Sequence, residues 1–246
     1  MLPTSLPLSL PLAYLFTLVG ALVMVGGVSF LKSRGWTTSL QGRKLMHCAT
    51  GPVFVLCWML FPSNPILPWL SPLLAASVPL GVALYMLACA RGWCHNRHLV
   101  STVSRSGSAG ELQQGPFFYG LIHALAAFVY WTDNPTGMVS LLVLCVGDGV
   151  ADLVGRPYGR HRWGWNRAKS VEGSAAFVAV SMVTVVAFVS LFQQQGFMTR
   201  VGWAALQRQI PLTVVIAALV ESLPLGAYDN IGVFAAVVAC GRFFEW

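Results

Sequence analysis

Charge is what this chain has least of. Only 9% of its 246 residues are Asp, Glu, Lys or Arg, where a soluble domain carries roughly 25%. The acidic residues are eight in all: Glu111, Asp133, Asp148, Asp152, Glu172, Glu221, Asp229 and Glu245. The sequence has no low-complexity segment, no evident internal repeat and no stretch polar enough to be a soluble domain. It also lacks the phosphate-binding spacings GxxxxGK[ST] and GxGxxG, which removes the common soluble nucleotide-binding signatures. The six cysteines lie mostly inside apolar runs and read as small packing residues, not as a disulfide framework. Cys94, His95 and His98 have no second ligand pair at a zinc-site spacing. The opening MLPTSLPLSLPLAYLF has no basic leader region, and it is too short and Arg-poor to be a complete organelle transit peptide.

What is there is hydrophobic: 56% of residues, much of it in runs of about 20. The expectation is an all-α integral membrane protein, a single domain over 1–246 built as a polytopic bundle of about seven or eight transmembrane helices. The spans read as about 11–31, 46–61, 68–90, 116–132, 136–154, 172–192, 209–224 and 229–244, with the last two readable as one broken element. The loop 32–45 holds Lys32, Arg34, Arg43 and Lys44. The loop 91–115 holds Arg91, Arg97 and Arg105. The loop 155–171 holds Arg156, Arg160, Arg162, Arg167 and Lys169. Together these are 12 of the 15 Lys and Arg residues. Being the first, third and fifth loops, they share one face, which the positive-inside rule assigns to the cytoplasm or the stroma. The net charge of +7 is thereby explained without a nucleic-acid partner. The nine Trp residues suit interface belts, and His123, inside an apolar run, reads as a hydrogen-bonded core residue.

A carboxylate within a membrane segment costs a few kcal/mol even on the lenient insertion scale, so the acidic residues point to use. Asp148 and Asp152 are four apart near the end of a span and share one helix face. Gly147, Ala151, Gly155 and Gly159 continue that four-residue step, and such small residues let another backbone or a ligand come close. The pair suits Mg²⁺, which takes one or two carboxylates and completes its shell with phosphate oxygens and water. The loop that follows supplies glycine N–H groups, Arg and Lys for phosphates. Lys169-Ser170 precedes the next span, and the helix start at Val171-Glu172-Gly173 is expected to offer free N–H groups and a positive dipole end to an anion. Three further clusters lie toward the same face. Arg43, Lys44 and His47 open the second span. Arg105 to Pro116, with Glu111, precedes the fourth. Glu221-Ser222-Leu223-Pro224 and Asp229-Asn230 flank a break of the kind that lines a cavity.

These motifs, in this order, resemble the polyprenol kinase family: phytol kinase, farnesol kinase and, more distantly, dolichol kinase. The resemblance covers the chain from about residue 40. It rests on RKLMH at 43–47, SRSGSAGELQQGPFFYG at 104–120, GDGVADLVGRPYGRHRW at 147–163, KSVEGS at 169–174 and VESLPLGAYDN at 220–230. The GELQQGPFFYG and ESLP…DN elements are most like the plant-type phytol kinases. Two departures stand out. Ala109, Gln113 and Gln114 lie where the family often has basic residues, and Gly226-Ala227-Tyr228 lengthens the link before Asp229-Asn230.

The resemblance implies a multi-pass enzyme that phosphorylates a long isoprenoid alcohol, with CTP as the usual donor and Mg²⁺ as cofactor. For a plant-type member it implies phytol as the alcohol, a role in tocopherol synthesis and a chloroplast membrane, with the endoplasmic reticulum as the alternative compartment. The expected partners are the alcohol, the nucleoside triphosphate and membrane lipid. Asp148 and Asp152 would hold the metal. Lys169, with Gly155, Arg156, Gly159, Arg160, Arg162, Ser170 and Gly173, would bind the donor phosphates. Arg43, Lys44 and His47 would close the site. Asp148, Asp152 or Glu221 would direct the alcohol proton, and Glu111, Asp229 and Asn230 are candidates on the alcohol side. Alternatives are a farnesol, geranylgeraniol or dolichol kinase, a cytidylyltransferase making a CDP-lipid, and a transporter using the acidic pairs as ion sites. The cytidylyltransferase run KD…PGHGG…DRxxD is absent, and no repeated half supports a transporter.

Overall fold

The computed structural model describes residues 8–104, 107–198 and 201–246. Its regular elements are helices. They are α1 (Leu10–Ser33), α2 (Ser39–Trp58), α3 (Leu70–Ala90), the short α4 (Arg97–Val103) and α5 (Gly115–Tyr130). Next come α6 (Pro135–Leu142) and α7 (Asp148–Tyr158), joined into one rod by a π-helical turn at Val143–Gly147. α8 (Val171–Gln194), α9 (Trp203–Glu221) and α10 (Asp229–Phe243) complete the order.

Local chemistry sets the helix starts. Thr38 and Gln41 form a reciprocal capping box that opens α2. Asn134 accepts from the Thr136 N–H, with Pro135 at the first position of α6. Ser170 accepts from the Gly173 N–H at the start of α8.

Apolar burial drives little association in lipid, so close backbone approach matters more. The rod α6–α7 is the axis of the bundle. All eight residues of α6 are buried. A side chain at Gly51 would collide with Cys145 and the Leu141 carbonyl, and one at Gly149 would collide with the Cys48 sulfur. Both glycines therefore let α2 lie directly on the rod. On the other side, Gly155 and Gly173 bring α7 and α8 into backbone contact. Trp58 is fully buried at the end of α2 and stacks on Trp131, so it is a core residue and not part of an interface belt. None of the six cysteines is in a disulfide.

The connections separate to two ends. Leu8 pairs with Leu60, Ser71 with Pro62, Trp131 with Trp58 and Phe61, and Asn134 with the Trp246 carbonyl. At the other end Lys32 donates to the Ser101 carbonyl, and Lys44, Asp152, Lys169 and Glu221 gather. The first, third and fifth loops thus do lie together.

The structure matches the expected span count only in part. Among the described residues, five helices are long and apolar enough to cross a membrane: Leu10–Ser33, Leu70–Ala90, Pro135–Tyr158, Val171–Gln194 and Trp203–Glu221. The expected second, fourth and eighth spans are helices, but α2 carries Arg43, Lys44 and His47 in its first half, and α5 and α10 have only 16 and 15 residues. About 20 apolar residues are needed to cross the hydrocarbon core. The seven or eight expected spans are therefore not all matched by membrane-length helices. The last two apolar runs form two separate helices packed side by side.

Candidate active site at the basic end of the bundle

α7 places Asp148 and Asp152 one turn apart, both facing the first turns of α2. Lys44 Nζ lies 3.0 Å from Asp152 and 3.9 Å from Asp148. His47, one turn further along α2, puts Nε2 3.1 Å from the same Asp148 oxygen, Oδ2, that Lys44 approaches. That nitrogen is also 3.2 Å from the Leu144 carbonyl. A carbonyl only accepts, so Nε2 carries the hydrogen and His47 presents a donor to Asp148. The Leu144 carbonyl belongs to the π-turn, where the helical ladder is widened. Arg156, one turn beyond Asp152, donates to it at 2.7 Å.

The loop between α7 and α8 forms the other wall. It folds back on itself, with Arg162 bridged to Ser170, Trp163 N–H bonded to the Lys169 carbonyl and Val171 N–H to the His161 carbonyl. The turn drives Lys169 inward, 3.7 Å from Asp148 and in direct contact with Glu221 at the end of α9. Glu221 is 2% exposed. Burial pulls the Lys169 ammonium toward deprotonation, but attraction from Asp148 and Glu221 outweighs it, and its pKa is raised. Asp229, opening α10, adds to the same field. Asp148, Asp152 and Glu221 here face the cations Lys44, Arg156 and Lys169.

Ala151, Asp152, Gly155, Arg156, Lys169 and Glu221 line an open pocket in front of the cluster. Ser170 and Gly173 also border it, but the anion seat expected at the start of α8 is not there. The Val171, Gly173 and Ser174 N–H groups are already donated, to His161, the Ser170 hydroxyl and the Ser170 carbonyl. Glu172 receives the His161 N–H and Nδ1 instead of leaving the dipole end open. Any side chain at Gly155, Gly159 or Gly173 would collide with Ser170 or its neighbours, so these glycines serve the packing of α7 on α8.

The chain was compared with known proteins. The chloroplastic "Probable phytol kinase 1" of Glycine max is 32% identical over 226 residues, spanning 91% of this chain and 73% of that protein. The chloroplastic "Phytol kinase 1" of Arabidopsis thaliana is 31% identical, spanning 89% and 71%. The chloroplastic "Farnesol kinase" of the same plant is 32% identical, spanning 92% and 71%. This chain belongs to the polyprenol kinase family. No protein-family model and no solved structure matches it.

In this family member the structure joins Lys44, His47, Asp148, Asp152, Arg156, Lys169 and Glu221 from four sequence motifs, carried by α2, α7, α9 and the loop before α8. Arg43 and Asn230 are half-buried nearby on α2 and α10. Arg160 and Arg162 are exposed on the hairpin, outside the cluster. Glu111 sits on a 3-10 turn packed on α3 and α5. Arg105 and Ser106 lie outside the described residues. Among the described residues no three His, Cys, Asp or Glu side chains converge as a metal cage. The two aspartates do converge on one cation, the Lys44 ammonium. That donor set fits Mg²⁺, which accepts two protein carboxylates and leaves its other positions to phosphate and water.

Sequence reasoning missed the residues that hold the site. Tyr119 of α5 donates its hydroxyl to the His47 carbonyl at 2.9 Å and lays its ring against the imidazole. Trp163 and Trp165 stack on each other, and their indole N–H groups bond Ser174 and Ser222. Asn166 reaches the Leu223 carbonyl. Tyr119 lies inside the GPFFYG motif, but nothing in its spacing announces a backbone acceptor 72 residues away.

Proposed function

We propose that this protein transfers the terminal phosphoryl group of a nucleoside triphosphate, CTP by family resemblance, to the hydroxyl of a long isoprenoid alcohol. Phytol is the alcohol favoured, because relatives named phytol kinase match along most of the chain. The resemblance would place the phosphorylated product in tocopherol synthesis. The observation that carries the reading is the convergence of Asp148, Asp152, Lys44, Lys169 and Glu221 at one end of an otherwise apolar bundle. A charged donor reaches that end from water, while an isoprenoid tail needs the lipid between helices.

Phosphoryl transfer asks the protein for positioning and charge neutralisation more than for covalent chemistry. Asp148 and Asp152 would hold Mg²⁺, which when bound neutralises the β- and γ-phosphates. His47 fixes Asp148 by donating to it. Lys169 turns from Glu221 to the γ-phosphate. Glu221, at the inner wall, then accepts the hydrogen bond of the alcohol and directs its proton. Arg160, Arg162 and Arg167, exposed on the hairpin, draw the nucleotide in.

The test uses membranes from cells expressing the chain, Mg²⁺ and γ-labelled CTP, ATP or UTP, with phytol, farnesol, geranylgeraniol and dolichol in parallel. Label in phytyl phosphate, lost in Asp148→Asn protein that still inserts, is the expected result. No label in any lipid from folded protein, or full activity of Asp148→Asn, rejects it.

A further inference from the structure

We infer that Lys44 is a displaceable internal cation: it occupies the divalent-metal position between Asp148 and Asp152, leaves when the metal arrives, and then serves the donor phosphates. This rests on the metal-dependent reading of the site given above.

The geometry is specific. Lys44 Nζ reaches both carboxylates from α2, at 3.0 and 3.9 Å, and its side chain is only 11% exposed. Each aspartate has a second partner that stays in place. His47 donates to Asp148, and Arg156 donates to Asp152. Each aspartate therefore keeps a partner when Lys44 withdraws, and Lys44 is a cation within 4 Å of both. An ammonium cannot remain between two carboxylates that ligate a divalent ion about 2 Å from their oxygens, because the two cations would be forced into contact.

Charge favours the exchange. A divalent ion balances both carboxylates at once, which the single Lys44 ammonium does not, while Arg156 and Lys169 stay with their other partners. The freed ammonium then adds a positive charge beside a pocket where phosphates would sit. Lysine suits this, since its four-carbon stem and compact charge move with little reorganisation, while an arginine fork would lock both carboxylates.

The experiment measures Mn²⁺ binding by electron paramagnetic resonance on full-length protein in nanodiscs, without nucleotide or alcohol. Lys44→Met and Lys44→Gln are expected to bind Mn²⁺ at least about tenfold more tightly than the unaltered protein. Adding Asp148→Asn should remove the gain. In the unaltered protein, acylation of Lys44 by an amine-reactive reagent, read by mass spectrometry, should rise several-fold on adding Mn²⁺ and not on adding K⁺. Folded variants that bind Mn²⁺ equally or more weakly overturn the proposal. If both variants fail to fold, flat Lys44 acylation in the unaltered protein overturns it alone. Metal-dependent phosphoryl transfer without this competition would reject the role of Lys44 and leave the kinase reading intact.

Discussion

Removing Lys169 should cost more stability than removing Glu221, although the two are partners. Lys169 lies against Glu221 and 3.7 Å from Asp148, with Asp229 in the same field. At an effective dielectric of about 20, unit charges this far apart interact by about 4 kcal/mol, and stripping one partner from a buried pair costs about 3–5 kcal/mol. Lys169→Met leaves the 2%-exposed Glu221 without its ammonium beside two other acids, so the full penalty applies. Glu221→Gln leaves Lys169 still facing Asp148, so about 1.5–3 kcal/mol is expected, the cost of one charged hydrogen bond. The double variant should recover most of the Lys169→Met loss, because no unpartnered charge remains. The deficit of Lys169→Met should also shrink as pH falls, since a stranded carboxylate is relieved by a proton. The assay is unfolding of nanodisc-reconstituted protein by denaturant, followed by tryptophan emission, between pH 5 and 8. If Glu221→Gln proves as damaging as Lys169→Met, or the double variant is worse than either, the charge balance described here is wrong.

Three other outcomes are expected. Chelation of divalent ions should abolish phosphoryl transfer, and Mg²⁺ or Mn²⁺ should restore it; turnover that persists in chelator removes the metal from the mechanism. Trp163→Leu loses one hydrogen bond, to Ser174, and weakens the indole stack, so about 1–2 kcal/mol of hairpin closure should go. Trypsin should then cut after Arg162 or Arg167 several-fold faster, with a higher KM for the nucleotide and little change in the alcohol's KM. Gly149→Leu drives a side chain into Cys48 and should cost about 1–3 kcal/mol or more, read as loss of monodisperse protein on size exclusion, whereas Gly20→Leu, with open space around it, should be tolerated.

Much of this was legible in the sequence for a physical reason. Lipid forbids unpaired backbone and penalises charge, so long apolar runs announce helices and rare carboxylates announce a site. Asp148 and Asp152 are visible as one face because four residues make nearly one helical turn. Partners across the chain are not visible. Lys169 and Glu221 are 52 residues apart, and they are joined by the packing of α8 against α9 and by the bonds from Trp165 and Asn166 to Ser222 and Leu223. The start of α8 read as an anion seat because its free N–H groups were counted from the helix alone; the Ser170 cap and the His161 carbonyl use them. Trp163 and Trp165 read as interface residues because composition does not show which indole N–H finds a hydroxyl. Helix α2 read as a shorter apolar span, 46–61, because residues 39–45 were counted as loop; they are helical, and Lys44 faces the rod.

The π-turn at Val143–Gly147 acts as a phase shifter on the central rod. One extra residue in a helical turn rotates everything beyond it by about 100° relative to an uninterrupted helix. Deleting a single residue there would leave the hydropathy profile unchanged and the rod about as long. It would nevertheless swing Asp148 and Asp152 together off the face that meets α2, out of reach of Lys44 and His47. Relatives built the same way should therefore tolerate substitution in this turn far better than any change in its residue count, and helix length between the buried half of the rod and its two aspartates becomes a property under selection in its own right.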